Sequence, residues 1–375
     1  MLITMSTGAV LAEENVESLE AVTDLNIPAK SAVLMDYNTG TVLYEQNADE
    51  PLPPASVTKI MTLLLIMEAL DKGSISYDSD VSVSEYAASM GGSQVFLEAG
   101  ESLKADEMLK SIVIASANDA AVAMAEAVAG SESAFVEMMN KKAQELDMEN
   151  THFENVTGLD DDTVKHVTSA RDIAIMSREL MKYKKIFEYS TVWMDSIRNG
   201  EFGLTNTNRL IRFYNGATGL KTGSTHKAGF CISATAERDG LHLIAVIMGA
   251  ETRDVRNEAA KSLLDHGFAN YSIYTDSGDV IPSIQVKRGV KTSTNAEYKG
   301  CRILVPKGEA QNVTVKTEVE SLLTAPLRAG ARIGSAQYIL NDKIIFESDV
   351  ILTEDIPQIS FFGLVLKLFS AFILR

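Results

Sequence analysis

The sequence predicts an α/β fold, in which a helix-rich α/β domain is followed by a small β domain and an apolar helical tail. Two pairs of short apolar runs, each joined by a turn ending in glycine, predict β-hairpins on either side of a long helical region. After residue 275 the chain changes to short β-like runs punctuated by Gly, Asn and Asp. The 375 residues are 46% hydrophobic and 23% charged, a globular composition that suits two or three domains of roughly 150 residues.

The N-terminal segment, residues 1–12, is apolar and ends in small side chains before Glu13 and Glu14. It resembles the end of a secretory signal peptide with cleavage after Ala12. It lacks a basic start and is shorter than the usual length of about 15–30 residues. We therefore predict a residual or truncated signal peptide here, and export of the chain.

Residues 25–272 are predicted to form the helix-rich domain. It begins with a hairpin over 31–44, whose two apolar runs flank an Asn-Thr-Gly turn. A second hairpin is predicted over 228–249, around Arg238-Asp-Gly240. Apolar residues at helical spacing predict helices between and after these hairpins. The predicted helices cover residues 56–70, 101–115, 119–129, 252–269 and much of 132–190, with a polar loop at 150–167.

The C-terminal part predicts a small β-rich domain over 275–355 and a helix over 357–375. The β-like runs include residues 281–286, 301–305 and 338–346. In the tail, polar residues at a spacing of three or four form one stripe on an otherwise apolar helix: Ser360, Gly363, Lys367 and Ser370. About eighteen residues would span about 27 Å and put Lys367 near the bilayer centre. We therefore predict an amphipathic helix that anchors the chain by lying on the membrane surface, with docking on the protein's own core as the alternative.

The charge balance argues against several classes of partner and site. Acidic residues outnumber basic ones, 51 to 34, for a formal net charge of −17, whereas nucleic-acid binding depends on a basic face. The two cysteines and five histidines argue against a disulfide scaffold or a His/Cys metal cage. We predict no nucleic-acid partner, no metal site and no cofactor.

The first candidate catalytic motif is Ser56-Val-Thr-Lys59, at the start of the predicted helix 56–70. A spacing of three puts Ser56 Oγ and Lys59 Nζ on one face of the first turn. Serine becomes an effective nucleophile when a neighbouring base takes its proton, and a desolvated lysine with a lowered pKa can be that base. Capping by the serine and a surface position for the lysine are the alternative.

Two further motifs lie at breaks between the predicted elements. Ser116-Ala-Asn118 separates two helices, where a hydroxyl and an amide could relay a proton and hold a carbonyl, or simply cap a helix. Lys221-Thr222-Gly223 precedes the second hairpin. On a strand edge, lysine and threonine could meet a carboxylate, and glycine allows close backbone approach. An exposed lysine before a turn is the alternative.

In this order, Ser-x-x-Lys, Ser-x-Asn and Lys-Thr-Gly are the signature of the penicillin-recognising serine enzymes. The surrounding segments resemble the low-molecular-mass penicillin-binding proteins, specifically the serine-type D-Ala-D-Ala carboxypeptidases. These segments are residues 54–62, 96–101, 219–223 and 244–250. The resemblance covers about residues 25–375. It implies a penicillin-binding or β-lactamase-like transpeptidase domain with helices around an antiparallel sheet, then a small all-β domain and a C-terminal amphipathic membrane helix.

The resemblance also implies a role for each motif residue. Ser56 would be the nucleophile that is acylated, Lys59 its general base, and Ser116 an aid to proton transfer. The substrate-binding candidates are Asn118, Lys221, Thr222, Gly223, Ser224 and Arg256. Of these, Lys221, Thr222 and Arg256 would contact the terminal carboxylate. The backbone N–H groups of Ser56 and Ser224 would form the oxyanion hole, and Lys221 would lower the pKa of Lys59 by like-charge repulsion.

The implied activity is removal of the terminal D-alanine from peptidoglycan stem pentapeptides through an acyl-enzyme. β-Lactams would acylate the same serine, because their strained amide imitates D-Ala-D-Ala. The partners implied are therefore a stem peptide ending in D-Ala-D-Ala, β-lactams as inhibitors, and a membrane surface that meets residues 357–375. The chain would be a bacterial enzyme at the extracytoplasmic face of the cell membrane.

Two other functions compete with this interpretation. A class A β-lactamase shares the three motifs but needs a deacylating glutamate in a Glu-x-x-x-Asn loop, and between Asn118 and Lys221 no asparagine has a glutamate four residues before it. A catalytically silent cell-wall-binding protein is the second rival, and the intact set of Ser56, Lys59 and Lys221 argues against it. Arg256 has an alternative of its own, as a solvated helix charge.

Overall fold

The structure is a computed structural model that describes residues 25–160 and 163–373. Within these residues the chain divides into two compact units. The larger unit comprises residues 25–279 and 299–313, and the described part of the smaller one comprises 280–298 and 314–373. The predicted signal segment, residues 1–12, lies outside the described residues.

The larger unit is built from short strands and helices. Its strands up to residue 275 are β1 (Ser31–Asp36), β2 (Val42–Gln46), β3 (Asp80–Ser82), β4 (Ser102–Lys104), β5 (Met194–Ile197), β6 (Phe202–Thr205), β7 (Ala217–Thr225), β8 (Gly229–Arg238), β9 (Leu241–Ala250) and β10 (Tyr271–Thr275). Its helices are α1 (Lys59–Asp71), α2 (Glu85–Ala88), α3 (Ala105–Lys110), α4 (Asn118–Ala129), α5 (Glu132–Glu145), α6 (Ala170–Leu180), α7 (Phe187–Ser190), α8 (Leu210–Phe213) and α9 (Arg253–Asn270). A 3₁₀ turn at Ala55–Thr58 precedes α1, and a π-helical turn at Ser111–Ala115 follows α3.

An antiparallel sheet in the order β2-β1-β9-β8-β7 forms the middle of this unit. The two predicted hairpins are its β1–β2 and β8–β9 pairs, and they are joined where β1 pairs with β9. Because side chains alternate along a strand, Val33 and Val246 pack into one hydrophobic core while Leu34 and Ala245 pack into a second core on the opposite face. Both faces are therefore covered, which explains the nearly continuous apolar sequence of β9.

Helix α1 runs through the first of these cores. Of its 13 residues, all except Glu68 and Asp71 are buried. A helix that is apolar on all sides must be surrounded by protein, and α4, α5 and α6 pack around it. The N-terminal end of α1, where Lys59 begins the helix, is consequently held in a fixed position.

The C-terminal part of the chain forms further strands. They are β11 (Gly278–Lys287), β12 (Ser293–Lys299), β13 (Arg302–Pro306), β14 (Thr314–Val319), β15 (Leu322–Thr324), β16 (Arg332–Leu340) and β17 (Lys343–Leu352). The smaller unit is a sheet in the order β14-β16-β17-β12-β11-β15 with a hydrophobic core of its own. The predicted run 338–346 contains the end of β16, a two-residue turn and the start of β17, since Asn341 and Asp342 adopt positive φ angles of 52° and 62° between the two strands.

The described chain ends in α10 (Phe361–Ile373). Phe361 and Phe362 are 76% and 79% exposed, and Leu366 and Phe369 are exposed as well. None of the helices in the described ranges has both the length and the hydropathy needed to span a bilayer.

The α/β fold with a following β domain is confirmed, and two further local predictions differ from the structure. The helix predicted over 101–115 starts only at Ala105, because Ser102–Lys104 pairs with Asp80–Ser82 as a short strand. The run 301–305, predicted as part of the β domain, forms β13, which pairs with β10 in the larger unit. Both differences arise from strand pairing across distant sequence, which apolar spacing does not encode.

Candidate active site

Ser56 lies at the mouth of a cleft, between α1 and the edge strand β7. It belongs to the 3₁₀ turn before α1, and Thr58 rather than Ser56 occupies the N-cap position, so the serine is not a helix cap. Strand β7 approaches this turn so closely that a Cβ at Gly223 would lie 2.8 Å from the backbone N of Ser56. Only glycine fits this contact, because the opposing atoms are backbone.

Lys59 is fully buried behind the serine and has three polar neighbours. Its Nζ lies 3.0 Å from Ser56 Oγ, and it donates hydrogen bonds to Asn118 Oδ1 at 2.5 Å and to the Thr157 carbonyl at 2.8 Å. A neutral amine has two N–H groups and one lone pair. The two acceptors take both hydrogens, so the lone pair of a neutral Lys59 is directed at Ser56 Oγ.

The surroundings of Lys59 favour its neutral form. Burial is the main cause that lowers its pKa well below the ordinary value of 10.5, and repulsion from the Lys221 ammonium lowers it further. The buried carboxylate of Asp119 acts in the opposite direction and does not reverse the effect. The predicted repulsion between the two lysines is therefore present, as the second cause after burial.

Ser116 and Asn118 come from the break between the π-helical turn and α4. Ser116 has a left-handed backbone, φ 65° and ψ 29°, and lines the same cleft as Ser56. Asn118 is the first residue of α4; besides accepting from Lys59, its Nδ2 donates to the Gly91 carbonyl at 2.7 Å. Neither side chain caps α4, whose N-cap is Ala117 without a side-chain bond.

Strand β7 carries Lys221, Thr222 and Gly223 along the cleft. Lys221 is 1% exposed, so it is not the surface lysine of the alternative interpretation. Burial, followed by repulsion from Arg256, lowers the pKa of Lys221 to about 7. Thr222 Oγ1 donates to Thr207 Oγ1 at 2.8 Å on the facing loop.

Arg256 reaches the cleft from α9, on the far side of β7 and β8. It is 3% exposed, which excludes the solvated helix charge. Its Nη2 donates to Asn257 Oδ1 at 2.8 Å and its Nη1 to the Cys231 carbonyl at 3.4 Å. Burial, with repulsion from Arg253 as the next cause, lowers the pKa of Arg256 to about 10.

These side chains share one cleft of about 590 Å³. Its lining residues include Ser56, Ser116, Thr222, Gly223, Ser224 and Arg256. Lys59, Asn118 and Lys221 are buried directly behind that lining. In the described ranges, no group of three His, Cys, Asp or Glu side chains is arranged to hold a metal ion.

The family model for D-alanyl-D-alanine carboxypeptidases matches residues 15–252, which contain Ser56, Lys59, Ser116 and Lys221. The chain belongs to this family. A second model, for the C-terminal domain of penicillin-binding protein 5, matches residues 271–358. The first match covers the helix-rich region up to residue 252, and the second covers the β-rich region.

Named relatives of this carboxypeptidase family match most of the chain. The D-alanyl-D-alanine carboxypeptidase DacF of Bacillus subtilis strain 168 is 42% identical over 371 residues, covering 96% of this chain and 93% of that protein. Penicillin-binding protein 5 of Haemophilus influenzae superposes with a TM-score of 0.77 at 32% identity, covering 90% and 100% of the two chains. Penicillin-binding protein D2 of Listeria monocytogenes, solved with ampicillin bound, superposes with a TM-score of 0.57 at 31% identity, covering 65% and 99%. Neither the β-lactamase nor the silent wall-binding alternative is favoured by these matches.

The structure of this carboxypeptidase family member adds residues that the sequence analysis missed. Asp119 is fully buried and accepts from the backbone N–H groups of Val95 and Leu97, which fixes the loop that carries Ser93 into the cleft. Asp119 directly follows the Ser116-Ala-Asn118 motif. Its acidic side chain beside that motif is the feature of the sequence that could have identified it.

The loop after α5 closes the rear of the site and was also missed. It supplies the Thr157 carbonyl to Lys59, and a Cβ at Gly158 would lie 1.8 Å from the Ala55 carbonyl oxygen. His166 Nδ1 accepts from the N–H of Glu154, so its Nε2 is the donor to Thr58 Oγ1 at 2.8 Å. Burial lowers the pKa of His166 to about 4 and keeps it neutral. The loop's polar sequence gave no sign of these contacts.

Proposed function

We propose that this protein is a serine-type D-Ala-D-Ala carboxypeptidase, with Ser56 as the acylated nucleophile and Lys59 as its general base. The observation that carries the proposal is the environment of Lys59, a buried amine 3.0 Å from Ser56 Oγ with both of its N–H groups bound elsewhere. Family membership supports the reaction class. A lysine in this state can accept a proton at neutral pH, as a catalytic base must.

In the acylation step, the lone pair of Lys59 Nζ accepts the hydroxyl proton of Ser56. The Oγ then attacks the carbonyl carbon of the penultimate D-alanine, and the negative charge develops on the carbonyl oxygen. Ser56 and Ser224 both line the cleft, and their backbone N–H groups would donate to that oxygen and stabilise it. The terminal D-alanine leaves after it takes up a proton, which Ser116 in the same cleft can relay from Lys59.

The two buried cations of the site are explained if they bind the terminal carboxylate of the substrate. Lys221 and Arg256 are both buried, and neither forms an ion pair with an acidic residue of the described chain. A bound carboxylate would supply the missing negative charge and accept from the Thr222 hydroxyl in place of Thr207 Oγ1. Asn118 and Gly223 complete the site by holding Lys59 and by letting the peptide run along β7.

Hydrolysis of the acyl-enzyme completes the reaction. Lys59, regenerated as a neutral base, activates water for attack on the ester of Ser56, and a tetrapeptide is released. A β-lactam would acylate the same oxygen, consistent with the ampicillin-bound relative. Such an adduct should turn over slowly, because no glutamate occupies the deacylating position of a class A β-lactamase.

The deciding experiment is D-alanine release from a diacetylated peptide ending in Lys-D-Ala-D-Ala. We expect release by the unaltered protein, none above background by Ser56→Ala, and full release by Ser74→Ala, an exposed serine outside the cleft. Mass spectrometry after incubation with penicillin should locate the adduct on the peptide that contains Ser56. Release that survives in Ser56→Ala would mean that another nucleophile carries the reaction.

We also propose that α10 attaches the protein to the outer face of the cell membrane. Exposed Phe361, Phe362 and Leu366 support this, because a large apolar surface in water is costly unless a partner covers it. Co-sedimentation with anionic lipid vesicles should require residues 357–375. Equal sedimentation of a chain that ends at residue 356 would contradict the anchor, and a soluble substrate should be turned over equally by both.

A further inference from the structure

The outer part of the active-site cleft carries more positive charge than the proposed reaction uses. Arg209, Arg253 and Arg256 all line the cleft, whereas none of the aspartates and glutamates in the described ranges lines it. The chain as a whole has the opposite balance, with a net charge of −17. A local concentration of cations on so acidic a protein is a feature of the cleft itself.

Two of these arginines have no acidic partner among the described residues. Arg209 and Arg253 are exposed, and neither forms an ion pair with any residue in the described ranges. By comparison, Arg171 and Arg198 on the same unit each bind carboxylates at 2.7 Å. The cleft arginines therefore keep their donors available to a ligand.

Arg209 and Arg253 are close enough to affect the guanidinium group of Arg256. Repulsion from Arg253 and Arg209 contributes, after burial, to the lowered pKa of Arg256. Such repulsion destabilises the free protein, and it is relieved when anions bind among the arginines. One carboxylate at the substrate's C-terminus can neutralise Arg256, and it leaves the charges of Arg209 and Arg253 unmatched.

The size of the cleft leaves room for a second anion. Its volume of about 590 Å³ falls within the range of about 300–1,000 Å³ for sites that bury a drug-sized ligand. It therefore holds more of the peptide than the two terminal alanines. Thr205 also lines the cleft, and its exposed position leaves it accessible to a ligand.

We propose that Arg209 and Arg253 form a second anion-binding subsite, which recognises a carboxylate on the stem peptide upstream of the D-Ala-D-Ala ending. The subsite rests on the proposed carboxypeptidase function and adds to it a preference for acidic stem peptides. A peptide with a free ammonium group at that position meets repulsion instead. The guanidinium fork is suited to this selection because it binds a carboxylate through two parallel hydrogen bonds.

The test compares three acetylated peptides, acetyl-X-D-Ala-D-Ala, in which X is glutamate, its neutral isostere glutamine, or lysine with a free amine. The unaltered protein should have a kcat/KM about three- to fivefold higher for the glutamate than for the glutamine peptide at low salt, as expected for exposed charge pairs. The lysine peptide should be the poorest substrate. Added salt should reduce the preference, because the arginines are exposed to solvent.

Arg209→Gln and Arg253→Gln should each reduce the glutamate-to-glutamine ratio, and the double variant should bring it close to one. Arg328→Gln is the matched control, since it removes the same charge from an exposed arginine outside the cleft lining and should leave the ratio unchanged. A ratio near one in the unaltered protein, or a ratio that survives the double variant, overturns the subsite. Thermal melts of each variant verify that it is folded.

The affinities of the same peptides for Ser56→Ala, measured by calorimetry, separate the two proposals. If no peptide is turned over but the glutamate peptide binds more tightly than the glutamine peptide, the carboxypeptidase function fails and the subsite stands. If all three peptides are turned over with equal kcat/KM and bound equally, the function stands and the subsite fails.

Discussion

Replacing Gly223 by alanine would insert a methyl group between the edge strand and the turn that holds Ser56. Its Cβ would lie 2.8 Å from Ser56 N, 2.9 Å from Val57 N and 3.0 Å from the Pro54 carbonyl oxygen. Favourable carbon contacts are at about 3.5–4.0 Å, so strand and turn must separate by about 0.5–1 Å. A misplacement of about 1 Å costs about 100-fold in rate. We therefore expect acylation of Ser56 to slow by between about ten- and 100-fold.

The assay is the rate of covalent labelling by a fluorescent penicillin, measured beside D-alanine release and thermal unfolding. Overpacking of this kind also costs about 1–3 kcal/mol in the free energy of unfolding, so a lower melting temperature is expected. Gly203→Ala is the control, because a Cβ on that glycine of β6 would meet nothing within 4 Å. Labelling of Gly223→Ala at the rate of the unaltered protein would refute the reasoning. It would mean that acylation of Ser56 does not depend on the present distance between the turn and the strand.

Three further predictions concern the buried polar groups. The lowered pKa of Lys59 means that the rate of acylation should rise with pH and reach its plateau well below pH 10.5, and that Lys59→Arg should not be acylated. A rate that still rises at pH 10 would contradict the lowered pKa. The pKa of Lys221 is about 7 in the folded chain, against an ordinary value of 10.5. Between pH 10.5 and pH 7 the unfolded chain therefore holds a proton on this lysine that the folded chain does not. The free energy of unfolding consequently decreases as the pH falls through this range. Lys221→Met should therefore be inactive, yet at pH 7 it should melt at a higher temperature than the unaltered protein. The difference in melting temperature should shrink towards pH 10. An unchanged melting temperature at pH 7 would contradict this prediction. His166→Ala leaves the Thr58 hydroxyl and the Glu154 N–H without a partner and should cost about 1–3 kcal/mol in urea unfolding, whereas a loss below about 0.5 kcal/mol would mean that these contacts do not stabilise the loop.

The candidate nucleophile and base were predictable because their relation is local. Ser56 and Lys59 are three residues apart at the start of a helix, and this spacing brings their side chains together in almost any context. The hairpins β1–β2 and β8–β9 were predictable for the same reason, since each is joined by a short turn. The order of the three motifs along the chain then indicated the family, which the family model confirms.

The depth at which these groups lie was not predictable from the pattern. Lysines 59 and 221 have sequence neighbours typical of ordinary surface or turn lysines, and both are buried because α1 and β7 are packed against one another. Likewise, the pairing of β10 with β13 could not be read from apolar spacing that equally suits the small β domain. Pairing across distant sequence depends on which strand edges are left open in the folded chain.

The order and spacing of the three motifs indicate the family and name Ser56 and Lys59 as candidates, while composition and charge only exclude other classes of protein. Long-range contacts supply the rest: Asn118 and the Thr157 carbonyl, which take the two hydrogens of the lysine, and the cluster of Arg209, Arg253 and Arg256 in the cleft. Residues 59, 118 and 157 are far apart in the chain, and no local rule relates them. The physical reason is that a pKa depends on burial and on charges within a few ångströms, and both are properties of the packed chain rather than of any segment of it.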